Sequence, residues 1–270
     1  MLIPLSVTDA LNRPVTGLQK KNFRIFEGSE EQQVLHLSFE DTPLAVGVVF
    51  DTSGSMAKKM PKSRAAVAEF FQTANPEDEF FLVEFNNTAQ ISHSFTSEPG
   101  EIQSQLAFTK PKGKTALLDA VALGLREIKK SAKPRKALVI FSDGGDNRSR
   151  YTTGEVRNMV AESDALIYAM GIFEGGPGRL SAEEIAGPDL LKELAERTGG
   201  KMYPVDNLKD LPGIAGRIGA ELHSRYILGY MPANLQRDGK YHKVRVKVER
   251  PEGMLPVQVD SRSGYRAPVQ

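Results

Sequence analysis

Three short segments carry oxygen-rich side chains where a strand is predicted to end and a loop or helix to begin. The first is Asp51-Thr52-Ser53-Gly54-Ser55. It follows Leu44-Ala45-Val46-Gly47-Val48-Val49-Phe50, a continuous apolar run of the kind that forms a parallel strand buried on both faces. Asp51, Ser53 and Ser55 alternate, so a loop crossing the strand end can aim three oxygens at one point. Gly54 permits the tight backbone this needs. The second segment is Gly113-Lys114-Thr115-Ala116-Leu117-Leu118-Asp119-Ala120, which puts a threonine hydroxyl just ahead of a helical stripe. The third is Phe141-Ser142-Asp143-Gly144-Gly145-Asp146-Asn147, with a carboxylate at the end of another buried run, Ala137 to Phe141. In open α/β sheets, ligands bind outside the carboxyl ends of the strands, where all three segments fall.

The chemistry follows from the atoms. Ser53, Ser55 and Thr115 offer hydroxyls; Asp51 and Asp143 offer carboxylates. No histidine or cysteine takes part. An all-oxygen set suits a hard cation, Mg²⁺, Mn²⁺ or Ca²⁺. The Asp51–Ser55 segment alone is equally well a capping turn, because Ser and Asp are favoured there for hydrogen bonding; with Thr115 and Asp143 added, the three segments point to a metal site. Asp119 reads as a structural group bonded to neighbouring backbone, and Asp146 as a cap of the loop before Asn147. Met56 and Met60 read as helix packing. Lys58, Lys59, Arg148 and Arg150 read as solvated charges near the rim. His36, His93, His223 and His242 are scattered without ligand spacing.

The elements that must position these groups form two patterns. From residue 44 to about 224, apolar strand runs alternate with helical stripes. Among the stripes are Val67, Phe70 and Phe71; Leu118, Val121, Leu125 and Ile128; and Leu190, Leu191, Leu194 and Ala195. This alternation predicts an α/β fold: a doubly wound, Rossmann-like, mostly parallel sheet with helices on both faces. Residues 1–42 and 225–270 read instead as strands separated by turns, including Asn12-Arg13-Pro14 and Asp238-Gly239. The two chain ends are expected to pack together as a small β subdomain flanking a 43–224 domain.

Bulk composition narrows the function classes. The 270 residues carry 35 Lys and Arg against 34 Asp and Glu, a net charge of +1. No global field therefore favours nucleic acid. From Arg225 onward nine basic residues face four acidic ones, read as a solvated strand face. There is no apolar run of about 18 residues to cross a membrane, and no signal peptide pattern. Cysteine is absent, which excludes disulfides, thiolate metal sites and a cysteine nucleophile.

Asp-x-Ser-x-Ser, then Gly-x-Thr-Ala-Leu, then Ser-Asp-Gly resembles the metal-ion-dependent adhesion site of von Willebrand factor A domains. All five positions match: Asp51, Ser53, Ser55, Thr115 and Asp143. The flanks, VTDALNRPVTGLQKKNFRIFEG and YILGYMPANLQRDGKYHKVRVKV followed by SGYRAP, resemble related proteins of acidobacteria. The resemblance implies that Ser53 and Ser55 ligate Mg²⁺ (or Mn²⁺ or Ca²⁺) directly and that Thr115 does so directly or through water. It implies that Asp51 and Asp143 act largely through water. An ion with its carboxylates held back keeps most of its charge and can grip an Asp or Glu side chain of a partner protein. The implied function is a cation-dependent protein-binding module for adhesion or scaffolding, with no catalytic residue, in a secreted or envelope-associated setting. Asp51 followed by Ser53 also resembles the start of haloacid dehalogenase-type phosphatases. Those need a second Asp as general acid where Ser53 stands, and a serine shuttles protons poorly.

Overall fold

The computed structural model of the chain describes residues 1–11, 13–40, 42–173, 182–232, 239–251, 253–262 and 264–267. Asn12 and Asp238, read as turn residues, lie outside them. Four strands open the chain: β1 (Leu2–Asp9), β2 (Phe23–Glu27), β3 (Glu30–Gln32) and β4 (Val34–Glu40). Strands and helices then alternate as β5 (Leu44–Asp51), α1 (Met60–Phe71), β6 (Glu79–Phe85), β7 (Ala89–Thr96), α2 (Pro99–Phe108), α3 (Leu117–Ile128) and β8 (Arg135–Ser142). The series continues with α4 (Thr153–Ala161), β9 (Leu166–Ile172), α5 (Ala182–Thr198), β10 (Met202–Val205) and α6 (Leu211–His223). Four strands close the chain: β11 (Arg225–Tyr230), β12 (Tyr241–Val248), β13 (Val257–Ser261) and β14 (Gly264–Arg266). Packing divides the chain into two units, Thr42–Gly219 and Met1–Asp41 with Ala220–Gln270; the division falls inside α6.

The Thr42–Gly219 unit is the α/β fold expected from the alternation. Its six strands run β10-β9-β8-β5-β6-β7. Every pair is parallel except the β6–β7 hairpin. Every residue of β5 is buried, which is why its sequence is apolar without alternation. Neighbouring side chains on a strand point to opposite faces, and β6 shows what each face holds. Phe81 packs in the cluster with Val121, Leu125, Val160 and Leu194 of α3, α4 and α5. Phe80 meets the ring of Phe71 of α1 at 4.9 Å. Helices therefore cover both faces.

Two details depart from the sequence reading. Helix α2 was not expected; only Ile102 and Leu106 of it are buried, too narrow a stripe to register as a period. Helix α1 starts at Met60 with Pro61 in its first turn, where proline costs no hydrogen bond, instead of starting after Pro61.

The chain direction explains where a site can form. From β5 the chain winds outward to β6 and β7, then returns to lay β8, β9 and β10 on the other side. The strand order reverses between β5 and β8, a switch point of the kind at which ligands bind, outside the carboxyl ends of the strands, in open α/β sheets. Phe50 of β5 pairs with Phe141 of β8. Asp51 and Ser142 are the next residues along those two strands.

In the other unit, two four-stranded sheets run β13-β1-β11-β4 and β14-β12-β2-β3. Leu5, Val7, Ile25, Tyr226, Leu228, Val244 and Val246 form their shared core. Lys243, Arg245 and Lys247 are exposed, in keeping with a solvated face for the basic tail. His242 is not merely a strand residue. Its Nδ1 lies 2.8 Å from a Glu27 oxygen, and its ring stacks on Tyr265.

Candidate metal centre

The loops after β5, before α3 and after β8 meet at the switch point and are bonded pairwise. The first and second are joined by Gly54 N–H to Gly113 O (3.0 Å) and Lys112 N–H to Thr52 O (2.8 Å). The second and third are joined by Thr115 N–H to Asn147 Oδ1 (3.0 Å) and by Asn147 N–H to Thr115 O (3.0 Å). The strand ends that lead into the first and third are joined by Ser142 Oγ–H to Asp51 Oδ2 (2.6 Å).

Inside this triangle, Ser53 Oγ and Ser55 Oγ lie 3.0 Å apart. Asp51 is fully buried, with Ser53 N–H donating to its Oδ1 at 2.8 Å. Ser53, Thr115 and Asp143 are also buried. Ser55 alone of the five is exposed, so the site has a solvent side. The structure thus draws the loops carrying all five residues together. The hydroxyls of Ser53 and Ser55 touch, and the carboxylates of Asp51 and Asp143 are close enough to feel each other's charge.

That charge is legible in the titration of Asp51. Burial, and then the negative charge of Asp143, push its carboxyl up to about 7, against hydrogen bonds from Ser142 and Ser53 that favour the anion. An unfolded aspartate titrates near 4. Between roughly pH 4 and 7 the folded chain therefore keeps a proton that the unfolded chain has released, and stability falls as pH rises through that window. In chelator, the melting temperature of the parent is expected to decline between about pH 4 and 7 relative to Asp51→Asn, which lacks the titrating group. Parallel profiles for the two proteins would contradict this origin.

A buried anion pair edged by hydroxyls, with no nitrogen or sulfur donor among the five, fits a hard divalent cation. Among the described residues no group of three His, Cys, Asp or Glu side chains could hold a metal, so hydroxyls would have to complete any such site.

Several neighbours differ from their sequence reading. Asp146 does more than cap its own loop. Its Oδ1 accepts from Leu117 N–H (3.0 Å) and Ser149 Oγ–H (2.7 Å), which caps α3 and steadies the Thr115 segment. Asp119 is bonded to backbone as expected, but to the distant Arg150 and Tyr151 N–H groups. Gly54 needs no positive φ; its role is close approach, since a Cβ there would lie 3.3 Å from Gly113 O. Ser142, read only as part of a strand end, orients Asp51. Lys59 is not a solvated rim charge: its Nζ lies 3.1 Å from Asp143 Oδ2, and the side chain is 12% exposed. Met56 and Met60 are buried, as helix packing requires.

Comparison with known proteins bears on the fold. Residues 46–145 match the model of the von Willebrand factor type A domain. A von Willebrand factor type A protein from Catenulispora acidiphila superposes with a TM-score of 0.59 at 11% identity, over 91% of this chain and 75% of that one. An aerotolerance-related membrane protein from Bacteroides fragilis superposes at 0.54 with 19% identity, over 66% of this chain and 98% of its own. Proximal thread matrix protein 1 from the mussel byssus, solved with a zinc-occupied MIDAS motif, superposes at 0.55 with 16% identity, over 72% and 49%. An uncharacterized protein of Borreliella burgdorferi is 23% identical over 66% of this chain; the match spans 57% of that protein's length. The family match covers residues 46–145, and the solved structures share the Rossmann-like fold.

Proposed function

We propose, taking a von Willebrand factor type A domain as the premise, that this chain is a cation-dependent protein-binding module. The observation that carries the reading is the junction of three loops at the switch point. It sets the Ser53 and Ser55 hydroxyls 3.0 Å apart beside two buried carboxylates. Ser53, Ser55 and Thr115 would hold Mg²⁺, or Mn²⁺ or Ca²⁺, through their hydroxyls. Asp51, with its oxygens engaged by Ser53 N–H and Ser142 Oγ–H, would act through water, as would Asp143. When bound, the ion supplies a positive charge facing solvent that attracts a carboxylate. The exposed side at Ser55 is where an Asp or Glu of a partner protein would arrive. The zinc-occupied motif of the byssus protein supports the cation half of the reading by likeness of fold.

The reading takes the module as non-catalytic. Ser53 occupies the place where a phosphatase of the haloacid dehalogenase type needs an acid. A phosphatase and esterase screen showing metal-dependent turnover would reverse that assignment. An extracytoplasmic setting belongs to the proposal too. Its support is the company of a membrane protein and a byssal thread protein among the neighbours. No helix among the described residues is long and apolar enough to cross a membrane.

The test is a thermal titration of chelator-stripped protein with Mg²⁺, Mn²⁺ and Ca²⁺, beside Ser53→Ala and Thr115→Ala. A ligand that binds only the folded state raises the melting temperature as it passes its dissociation constant. Saturable stabilisation of the parent, much reduced in both variants, is expected. It should be followed by retention of Asp- or Glu-bearing peptides in Mg²⁺ and their release in chelator. No stabilisation by any of the three ions would refute the proposal.

A further inference from the structure

Lys59 stands outside the five-residue constellation, yet it makes the closest charge contact in the site. Its ammonium lies 3.1 Å from Asp143 Oδ2, and the two side chains are only 12% and 7% exposed. The flanking lysines, Lys58 and Lys62, are exposed. The local backbone fixes this difference. Lys59 immediately precedes α1; its N–H donates to Met56 O (2.9 Å), and its carbonyl accepts from Ser63 N–H (3.0 Å) and Ser63 Oγ–H (3.1 Å). With the main chain pinned on both sides, the largely buried side chain delivers its charge to the carboxylate. Among the described residues, Lys59 and Asp143 have no other ion-pair partner.

The electrostatics of the site give this pair a consequence. Two buried carboxylates repel each other unless a positive charge stands between or beside them. An ammonium is a compact point charge with three donors and satisfies one of them. A divalent ion arriving at the same carboxylate would meet that ammonium as a like charge at short range in a poorly screened setting. We propose that Lys59 is a tethered counter-ion that holds the cation-free site closed by pairing with Asp143, and that it must leave Asp143 before a divalent cation is held. Lys59 thereby sets the cation affinity of the site without being a ligand. The proposal rests on the metal-binding reading above.

The test compares the parent with Lys59→Met, which keeps the length and apolar stem but not the charge, by calorimetric titration with Mg²⁺ and Mn²⁺. The variant is expected to bind at least tenfold more tightly. Its cation-free form is expected to melt below the parent, and the cation-saturated forms are expected to converge. Equal affinities in two responsive proteins would overturn the Lys59 proposal alone; no response from either would overturn the metal-binding reading itself. A second measurement needs no variant and stands if Lys59→Met fails to fold. Acetylation of Lys59 in the parent, followed by mass spectrometry, should rise severalfold on adding Mg²⁺ as the ammonium is released. Unchanged reactivity at saturating Mg²⁺ would count against the proposal.

Discussion

Asp51→Asn is expected to melt at a higher temperature than the parent in chelator at about pH 8, and to lose most of the response to Mg²⁺. The two effects have one cause. Without a cation, the parent must either hold Asp51 as a buried anion near Asp143 or keep it protonated. Its carboxyl, pushed up to about 7, shows how unfavourable the anion is. Each unit of such a shift is worth about 1.4 kcal/mol, so relief on the order of 1–4 kcal/mol is available to a neutral side chain. In a domain of this size that corresponds to roughly 2–4 °C for each kcal/mol. Asparagine keeps the bond from Ser53 N–H through its own Oδ1. Its amide can donate to Ser142 Oγ, which then gives up the proton it now directs at Asp51. What the variant lacks is the negative charge that a cation needs. Thermal melts at pH 8 with and without Mg²⁺ decide the matter. A variant less stable than the parent in chelator, yet equally responsive to Mg²⁺, would refute the account.

Gly144→Ala is expected to cost about 2–4 kcal/mol of stability and to weaken cation binding as well. Gly144 sits at φ +81°, where an L side chain is strained. A Cβ there would also lie 2.7 Å from the carbonyl carbon and 2.8 Å from the carbonyl oxygen of Gly187. Both obstacles are main chain, so no flexible side chain can move aside; the loop after β8 or the start of α5 must shift. The damage reaches the site because Gly144 N–H donates to Ser142 Oγ at 3.0 Å, and that hydroxyl orients Asp51. Urea unfolding in chelator measures the first effect and Mg²⁺ titration the second. A loss below about 0.5 kcal/mol, the level of an ordinary surface substitution, would mean that the close approach is not required.

The site was readable where chemistry and local pattern coincide. Asp51, Ser53 and Ser55 announce themselves because three oxygens alternate at the end of a strand with no polar residue in it. Asp143 does so at the end of the neighbouring run. The fold was readable for the same reason: β5, β8 and β9 are buried on both faces, and burial on both faces writes itself as unbroken apolar sequence. What sequence did not show depends on contacts across loops. Ser142 looks like any small residue until β5 and β8 lie side by side and its hydroxyl meets Asp51. Lys59 is one of several lysines after the motif, and nothing in its spacing says that this one turns inward. Asp146 lies 29 positions from Leu117, whose N–H it caps. Helix α2 leaves so much of itself in solvent that its period is faint.

Backbone hydrogen bonds already latch the first loop to the second and the second to the third, so these described loops are joined before an ion arrives. The rate of cation uptake should therefore reflect how readily the ion sheds water and how fast one lysine side chain turns away. Mg²⁺, which dehydrates reluctantly, should associate more slowly than Ca²⁺ even where the two reach similar occupancy.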